Sequence, residues 1–331
     1  MRHWVDIMTP FSLNARKRGP APKSSLSDAL LCYLTHIHLD TEDDVLAKAL
    51  GLGIAQFSSN IERVRPILHS ALGTKWPALA PRPLDDDQRP LPEVGLLIDS
   101  TTTECFRPKG RFGEVKHYWD GHHKVYGMKT EVAVTSARPH VCIHTSAHEP
   151  GSAADYSMHI DNYHEYEDYL TKTVEERNWD GDDGRIRTWG ALLDKAYIGP
   201  ATDTPGERRI TPVKGAHLTA QQKASNKDKS RARNPVEQFL GRLVKKFGIL
   251  FNVFRYDHSI FDMEFANCCM LINEDISISE LTLGDGEFYQ KYLDERVDRW
   301  NEAERKRKRD REKFKANKKA KLEKVKKYVG K

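Results

Sequence analysis

Residues 96–103 read LLIDSTTT, an apolar run that ends in a carboxylate followed by four hydroxyls. Leu96, Leu97 and Ile98 have the composition of a buried strand, and Asp99 stands at its mouth, where an unpaired charge is costly to hold. A turn explains one such aspartate, since Asp and Ser side chains bond to nearby backbone and often end strands. The same arrangement recurs downstream, where Gly190-Ala-Leu-Leu193 runs straight into Asp194-Lys-Ala-Tyr197. Two apolar strands therefore each deliver a carboxylate at the C-terminal end. If the strands are parallel neighbours, Asp99 and Asp194 sit side by side and raise each other's pKa. A divalent cation removes that penalty.

A third acid, Glu237, has two readings. In Asn234-Pro235-Val236-Glu237 the asparagine can cap a helix, the proline occupies its first position and the glutamate reciprocates the cap. The segment before it, KASNKDKSRARN, carries Lys223, Lys227, Lys229, Arg231 and Arg233 against Asp228 alone. A basic loop that delivers a carboxylate at the first turn of a helix suits a phosphodiester-cutting site. Capping and catalysis both fit the residues.

Periodicity places strands at 94–99, 125–136, 140–146, 189–193 and 210–213, with helices at 153–174 and 235–254. The last helix repeats Val236, Phe239, Leu240, Leu243, Val244, Phe247 and Leu250 at the helical period. This order describes an α/β fold: a mixed sheet flanked by helices, with its first three strands as a meander. Upstream, apolar residues at helical spacing predict helices over 26–38, 41–50 and from 54 onward, with Gly51 and Gly53 breaking the second from the third. The pattern fits a helix-turn-helix whose outward residues Gln56, Ser59, Asn60 and Arg63 would contact a DNA groove. An ordinary three-helix packing unit fits it too.

These patterns divide the chain into an all-α unit over 1–76, a linker over 77–92, an α/β unit over 93–284 and a charged helical tail over 285–331. The linker holds five prolines, and its Asp85 to Asp87 read as solvated charge. The tail's apolar anchors are Phe288, Tyr289, Tyr292, Val297 and Trp300.

The net charge of +5 conceals an asymmetry. Residues 301–331 hold 15 Lys/Arg against 5 Asp/Glu, which leaves the other 300 residues at −5. Such a run suits phosphate binding or nuclear import, and equally a solvated helix face. No run is long and apolar enough to span a membrane, and the first 25 residues lack an export core. Five cysteines without CxxC spacing fit a reduced protein lacking a structural zinc site. His140, His144 and His148 lie four apart, but on strand and loop they make no ligand face. Asp180-Gly-Asp182-Asp183 resembles part of a calcium loop without its closing glutamate. Neither a serine or cysteine triad nor a glycine-rich phosphate loop can be assembled.

Five motifs occur in order: Asp99-Ser-Thr-Thr102, Gly121 to Lys129, Pro150-Gly-Ser-Ala-Ala-Asp155, Asp194-Lys-Ala-Tyr197, and Arg233-x-x-x-Glu237-x-x-x-Gly-Arg-Leu243. Over roughly residues 94–256 the chain thus resembles the DDE-type transposases of the PIF/Harbinger and related bacterial insertion-sequence families. The resemblance implies an RNase H-like fold whose first and fourth strands carry Asp99 and Asp194 and whose late helix carries Glu237. These three acids would bind two Mg²⁺ or Mn²⁺ ions, hard cations suited to oxygen ligands. Asp155 is either a further metal ligand or the N-cap of the next helix. Arg231, Arg233, Arg242 and Lys245 become DNA-phosphate contacts.

The implied activity is cleavage at transposon ends and joining of 3′ ends to target DNA, with terminal repeats and target as the double-stranded substrates. The implied assembly is a homo-oligomer on DNA, with an accessory DNA-binding protein as a further partner and no membrane role. The implied location is the nucleus in a eukaryote, and otherwise the cytoplasm or nucleoid. The chain departs from the family pattern at Ser100 and Ala196, where glycine is common, and at Val244, where a lysine is usual. A transposase-derived DNA-binding or bridging protein that no longer cuts is the alternative from another class.

Overall fold

The computed structural model describes residues 8–9, 24–177, 186–199 and 208–329. The calcium-like Asp180–Asp183 stretch lies outside them. No helix among the described residues is long and apolar enough to cross a membrane.

Three helices open the described chain: α1 (Leu26–Leu39), α2 (Asp43–Ala49) and α3 (Ile54–Leu79). Ser25 caps α1 by accepting from the Asp28 amide at 3.0 Å. Between α2 and α3 Gly51 adopts φ +69°, a left-handed conformation that explains why glycine stands there. The third helix runs on through Leu79, into the stretch expected to be linker.

The sheet holds β1 (Val94–Glu104), β2 (Trp119–Asp120), β3 (Val125–Thr135), β4 (Cys142–Thr145), β5 (Glu149–Pro150), β6 (Gly190–Leu192) and β7 (Arg209–Ile210). Its order is β2-β3-β1-β6-β7, and β4 and β5 also pair with β3. β1 and β3 are antiparallel from Leu96↔Thr135 to Glu104↔Gly127, whereas β1–β6 and β6–β7 are parallel. The expected mixed sheet is therefore present, with a β1-β3-β4 meander. β7 stops at Ile210 and not at Val213. Beyond it the backbone is held by side chains, with Asn226 bonding both the N–H and the carbonyl of Val213.

Helix α4 (Asp155–Leu170) covers one face of the sheet, packing Tyr163, Tyr166 and Leu170 against Leu96 and Ile98 of β1. The other face carries α5 (Ala220–Lys246), α6 (Phe261–Ile276) and the first turns of α7 (Leu283–Val329), and its core is continuous with that of α1–α3. Helix α6 had no periodic signature because it is buried nearly all round, Glu264, Asn267 and Asn273 included. Asn273 bonds both the amide and the carbonyl of Cys142, which satisfies the free edge of β4.

Three local expectations are corrected. Asp86 is not solvated: it is 8 % exposed and bonded to Arg138 through Nε and Nη2, both at 2.9 Å. Arg138 holds its carboxyl well below the usual carboxylate range. The basic segment 223–233 is not a loop, because α5 begins well before Glu237, at a Thr219–Gln222 capping box, and continues through Pro235. The first strand does not stop at Asp99: Thr101 to Thr103 extend β1 and are buried.

Candidate active site

Parallel pairing of β1 with β6 ends at Leu97↔Leu192, so Asp99 and Asp194 each lie two residues past the last paired positions. There β1 continues while β6 gives way to a helical turn, Lys195–Tyr197, which leaves the β1 edge open. The two carboxylates flank that opening. Glu237 approaches from α5, where Arg233, one turn earlier, lies between it and the sheet. Arg233 Nη1 donates to Asp99 Oδ2 at 2.6 Å, and Nη2 donates to Glu237 Oε1 at 2.5 Å. Asp99, Asp194, Glu237 and Asp155 line one cleft of about 410 Å³, which Tyr289 of α7 also lines.

The electrostatics follow from this crowding. Desolvation pushes the Asp99 carboxyl up to about 6; Arg233 pulls it down, and Glu237 and Asp194 push it further up. Burial would lower the Arg233 pKa, but Asp99, Glu237 and Asp194 outweigh that and hold it above the usual guanidinium range. Each acid is partly exposed, so a ligand can reach the cluster.

Asp155 is not the cap of α4. That position belongs to Ala154, and Asp155 is the first helical residue. Its carboxylate accepts from Ser100 Oγ at 2.5 Å and from Lys129 Nζ at 3.2 Å. Ser100 thus has a partner that a glycine could not supply. Behind it Glu131, opposite Ser100 in the β1–β3 register, is fully buried and accepts from Tyr166 OH at 3.3 Å. Sequence reading missed Glu131 and Tyr289 as neighbours of the site, and no local signal marks them. Lys129 closes the Gly121–Lys129 motif and was recoverable from it.

The other site candidates separate. Asn60 does not face outward: it is 2 % exposed and donates to Cys32 Sγ. Gln56 bonds Ser24 Oγ and Asn60, and Arg63 donates to the Ser24 carbonyl, because the start of α1 lies across that face of α3. Ser59 is exposed and faces solvent. Arg242 is buried and tied to Asp285 at 2.7 Å and to the carbonyls of Ser279 and Glu280, so it is a structural brace between α5 and α7. Arg231 and Lys245 are exposed, and Val244 is core. His123 binds Asp120 at 2.8 Å, and His122 borders the cleft. His140 and His148 serve Thr135 and Asp262.

Among the described residues no three His, Cys, Asp or Glu side chains stand close enough together to hold a metal as placed. The donor chemistry nevertheless fits a hard divalent ion: three carboxylates, one with a raised pKa, face a single cleft, and among the described residues one cation is bonded to two of them. That cation is Arg233.

The family described as DDE superfamily endonuclease matches over residues 98–273. The matched segment begins one residue before Asp99, contains Asp194 and Glu237, and ends within α6. Neither the curated proteins nor the solved structures hold a significant match. The match spans just over half of the chain and includes all three acids of the cleft, and the chain belongs to the DDE superfamily endonucleases.

Proposed function

We propose that this endonuclease is a DNA transposase that cuts phosphodiester bonds at transposon ends and joins the 3′ ends to target DNA. The observation that carries the reading is the convergence of Asp99, Asp194 and Glu237 on one cleft, two from just past the parallel β1–β6 pairing and one from a helix. Asp99, Asp194 and Glu237 would hold two Mg²⁺ or Mn²⁺ ions, with Asp155 as a fourth ligand. Bound there, the metal would supply Lewis-acid activation of water or a 3′-hydroxyl and stabilise the leaving oxygen.

The chain's own residues do the positioning. Ser100 and Lys129 fix the Asp155 carboxylate, and the turn after Asp194, closed by the Tyr197 amide on the Asp194 carbonyl at 3.2 Å, fixes that strand end. Exposed Arg231 and Lys245 on α5 would hold DNA phosphates without sequence preference. The α2–α3 pair, with Ser59 on its solvent side, would recognise terminal sequence. A homo-oligomer would bring two DNA ends together, and an accessory DNA-binding protein would assist it.

The test is nicking of supercoiled plasmid by the full chain with Mg²⁺ or Mn²⁺, against Asp194→Asn. The variant loses a metal ligand but no phosphate contact. Cleavage should fall to background while gel-shift binding is kept or tightened, because negative charge near the DNA is reduced. Equal loss of binding and cleavage would make Asp194 structural. A wild-type chain that binds DNA without any metal-dependent nicking would favour the non-cutting, transposase-derived alternative.

A further inference from the structure

Arg233 occupies the place where the acidic cleft needs a positive charge. Its two terminal nitrogens divide between acids from different elements, Asp99 on β1 at 2.6 Å and Glu237 on α5 at 2.5 Å. The charges of Asp99, Glu237 and Asp194 together raise its pKa despite its burial. The remaining cation of the cleft, Lys129, is already committed to Asp155 and to the Ala153 carbonyl. Among the described residues, one guanidinium therefore bonds two of the three acids, Asp99 and Glu237, and feels the charge of Asp194.

We infer that Arg233 is an exchangeable internal counter-cation: it holds Asp99 and Glu237 until a divalent metal takes their oxygens, and then turns to a DNA phosphate. The inference rests on the metal-dependent nuclease reading above. The guanidinium is bonded to Asp99 Oδ2 and Glu237 Oε1, on two of the carboxylates that would hold the metal. A guanidinium cannot escape by losing its proton, so it must move. Displaced, it would be a partly buried charge without a partner, and side-chain exposure of only 17 % makes that costly. A phosphate oxygen pair presents the same forked geometry as the carboxylates it left. Metal and DNA then assist each other, and by linkage each tightens the other by the same factor.

The experiment measures Mn²⁺ binding to the full chain from the electron paramagnetic resonance of the free ion, without DNA, in wild type, Arg233→Gln, Arg231→Gln and Asp99→Asn. Arg233→Gln should bind Mn²⁺ about tenfold more tightly, within the usual range of coupling energies. Arg231→Gln removes an exposed charge from the same helix and should bind as wild type does. Unchanged or weaker binding by Arg233→Gln, or equal tightening by both variants, overturns the exchange.

A second arm follows a fluorescein-labelled duplex of arbitrary sequence by anisotropy, with and without Mn²⁺. The metal should raise wild-type DNA affinity about tenfold more than it raises that of Arg233→Gln, again a coupling of ordinary size; equal gains overturn the coupling. Failure of the nuclease reading looks different. In that case Asp99→Asn leaves Mn²⁺ binding as in wild type, or neither wild type nor Arg233→Gln binds Mn²⁺, and both readings fall together.

Discussion

Glu131 shows how a single buried residue reports on the site without touching a ligand. Burial pushes its carboxyl up to about 8; the Tyr166 hydrogen bond lowers it and the Asp155 charge raises it again. Between the unfolded value of 4.5 and about 8, the unfolded chain has released this proton while the folded chain keeps it. Stability therefore falls as pH rises through that window, by at most about 1.4 kcal/mol per pH unit. Glu131→Gln cannot ionise and can still accept from Tyr166. Its melting temperature should exceed that of wild type by a margin that widens from about pH 5 to about pH 8; a constant margin would show that Glu131 ionises freely in the fold. Asp99 and Asp194 were legible as residues because each ends an apolar run, a pattern local to the chain. The pairing of Arg233 with Asp99 was not, since it joins positions 134 residues apart. Asn60 misled for the same reason: the face of α3 it occupies is polar in sequence, but the start of α1 covers it.

At the scale of elements, the site is as rigid as the packing of α5 on α7. Gly241 makes that close approach possible, because a Cβ there would stand 1.9 Å from the Asp285 carbonyl oxygen. Arg242, the next residue, then reaches Asp285 and the carbonyls that precede α7. Gly241→Ala should force the helices apart and lower the unfolding free energy by about 2–3 kcal/mol, the cost of overpacking a fitted interface. Gly286→Ala, on the opposing helix, meets only Gln238, whose Cγ would stand 3.4 Å away. It should leave stability unchanged or raise it by up to about 1 kcal/mol through helix propensity. Urea unfolding of both variants separates the two, and equal effects would mean that the close approach at Gly241 is not what seats α7. The boundary of α5 was misjudged because Asn234-Pro235 carries the local signs of a helix start. The helix survives the proline because its C-terminal half is anchored by buried Val236, Phe239, Leu240 and Leu243.

In the whole molecule the N-terminal helices, the sheet and the start of α7 share one core, so the parts proposed to bind and to cut are mechanically joined. Arg65 of α3 donates to the fully buried Glu264 of α6 at 2.5 Å, and Tyr33 of α1 meets the same carboxylate. Helix α7 divides along its length. Tyr289, Tyr292 and Arg296 are buried, with Arg296 donating to the Thr102 carbonyl of β1 at 2.7 Å, and Trp300 packs on Trp119. From Glu304 to Glu323 every residue is exposed. Over residues 304–323 the charge run seen in the sequence thus lies on a solvated rod. Deleting residues 301–331 removes 15 basic and 5 acidic groups while keeping the buried anchors, so the truncated chain should fold. Its affinity for any duplex should drop, and the dependence of log affinity on log salt should become shallower by roughly 0.9 for each phosphate that the tail would have neutralised. Preference between sequences should not change, because phosphate contacts set affinity and base contacts set specificity. The check is binding to several duplexes across a salt series, with circular dichroism to confirm the fold. An unchanged slope with failed nuclear accumulation of a tagged chain would make the rod an import signal and not a DNA clamp.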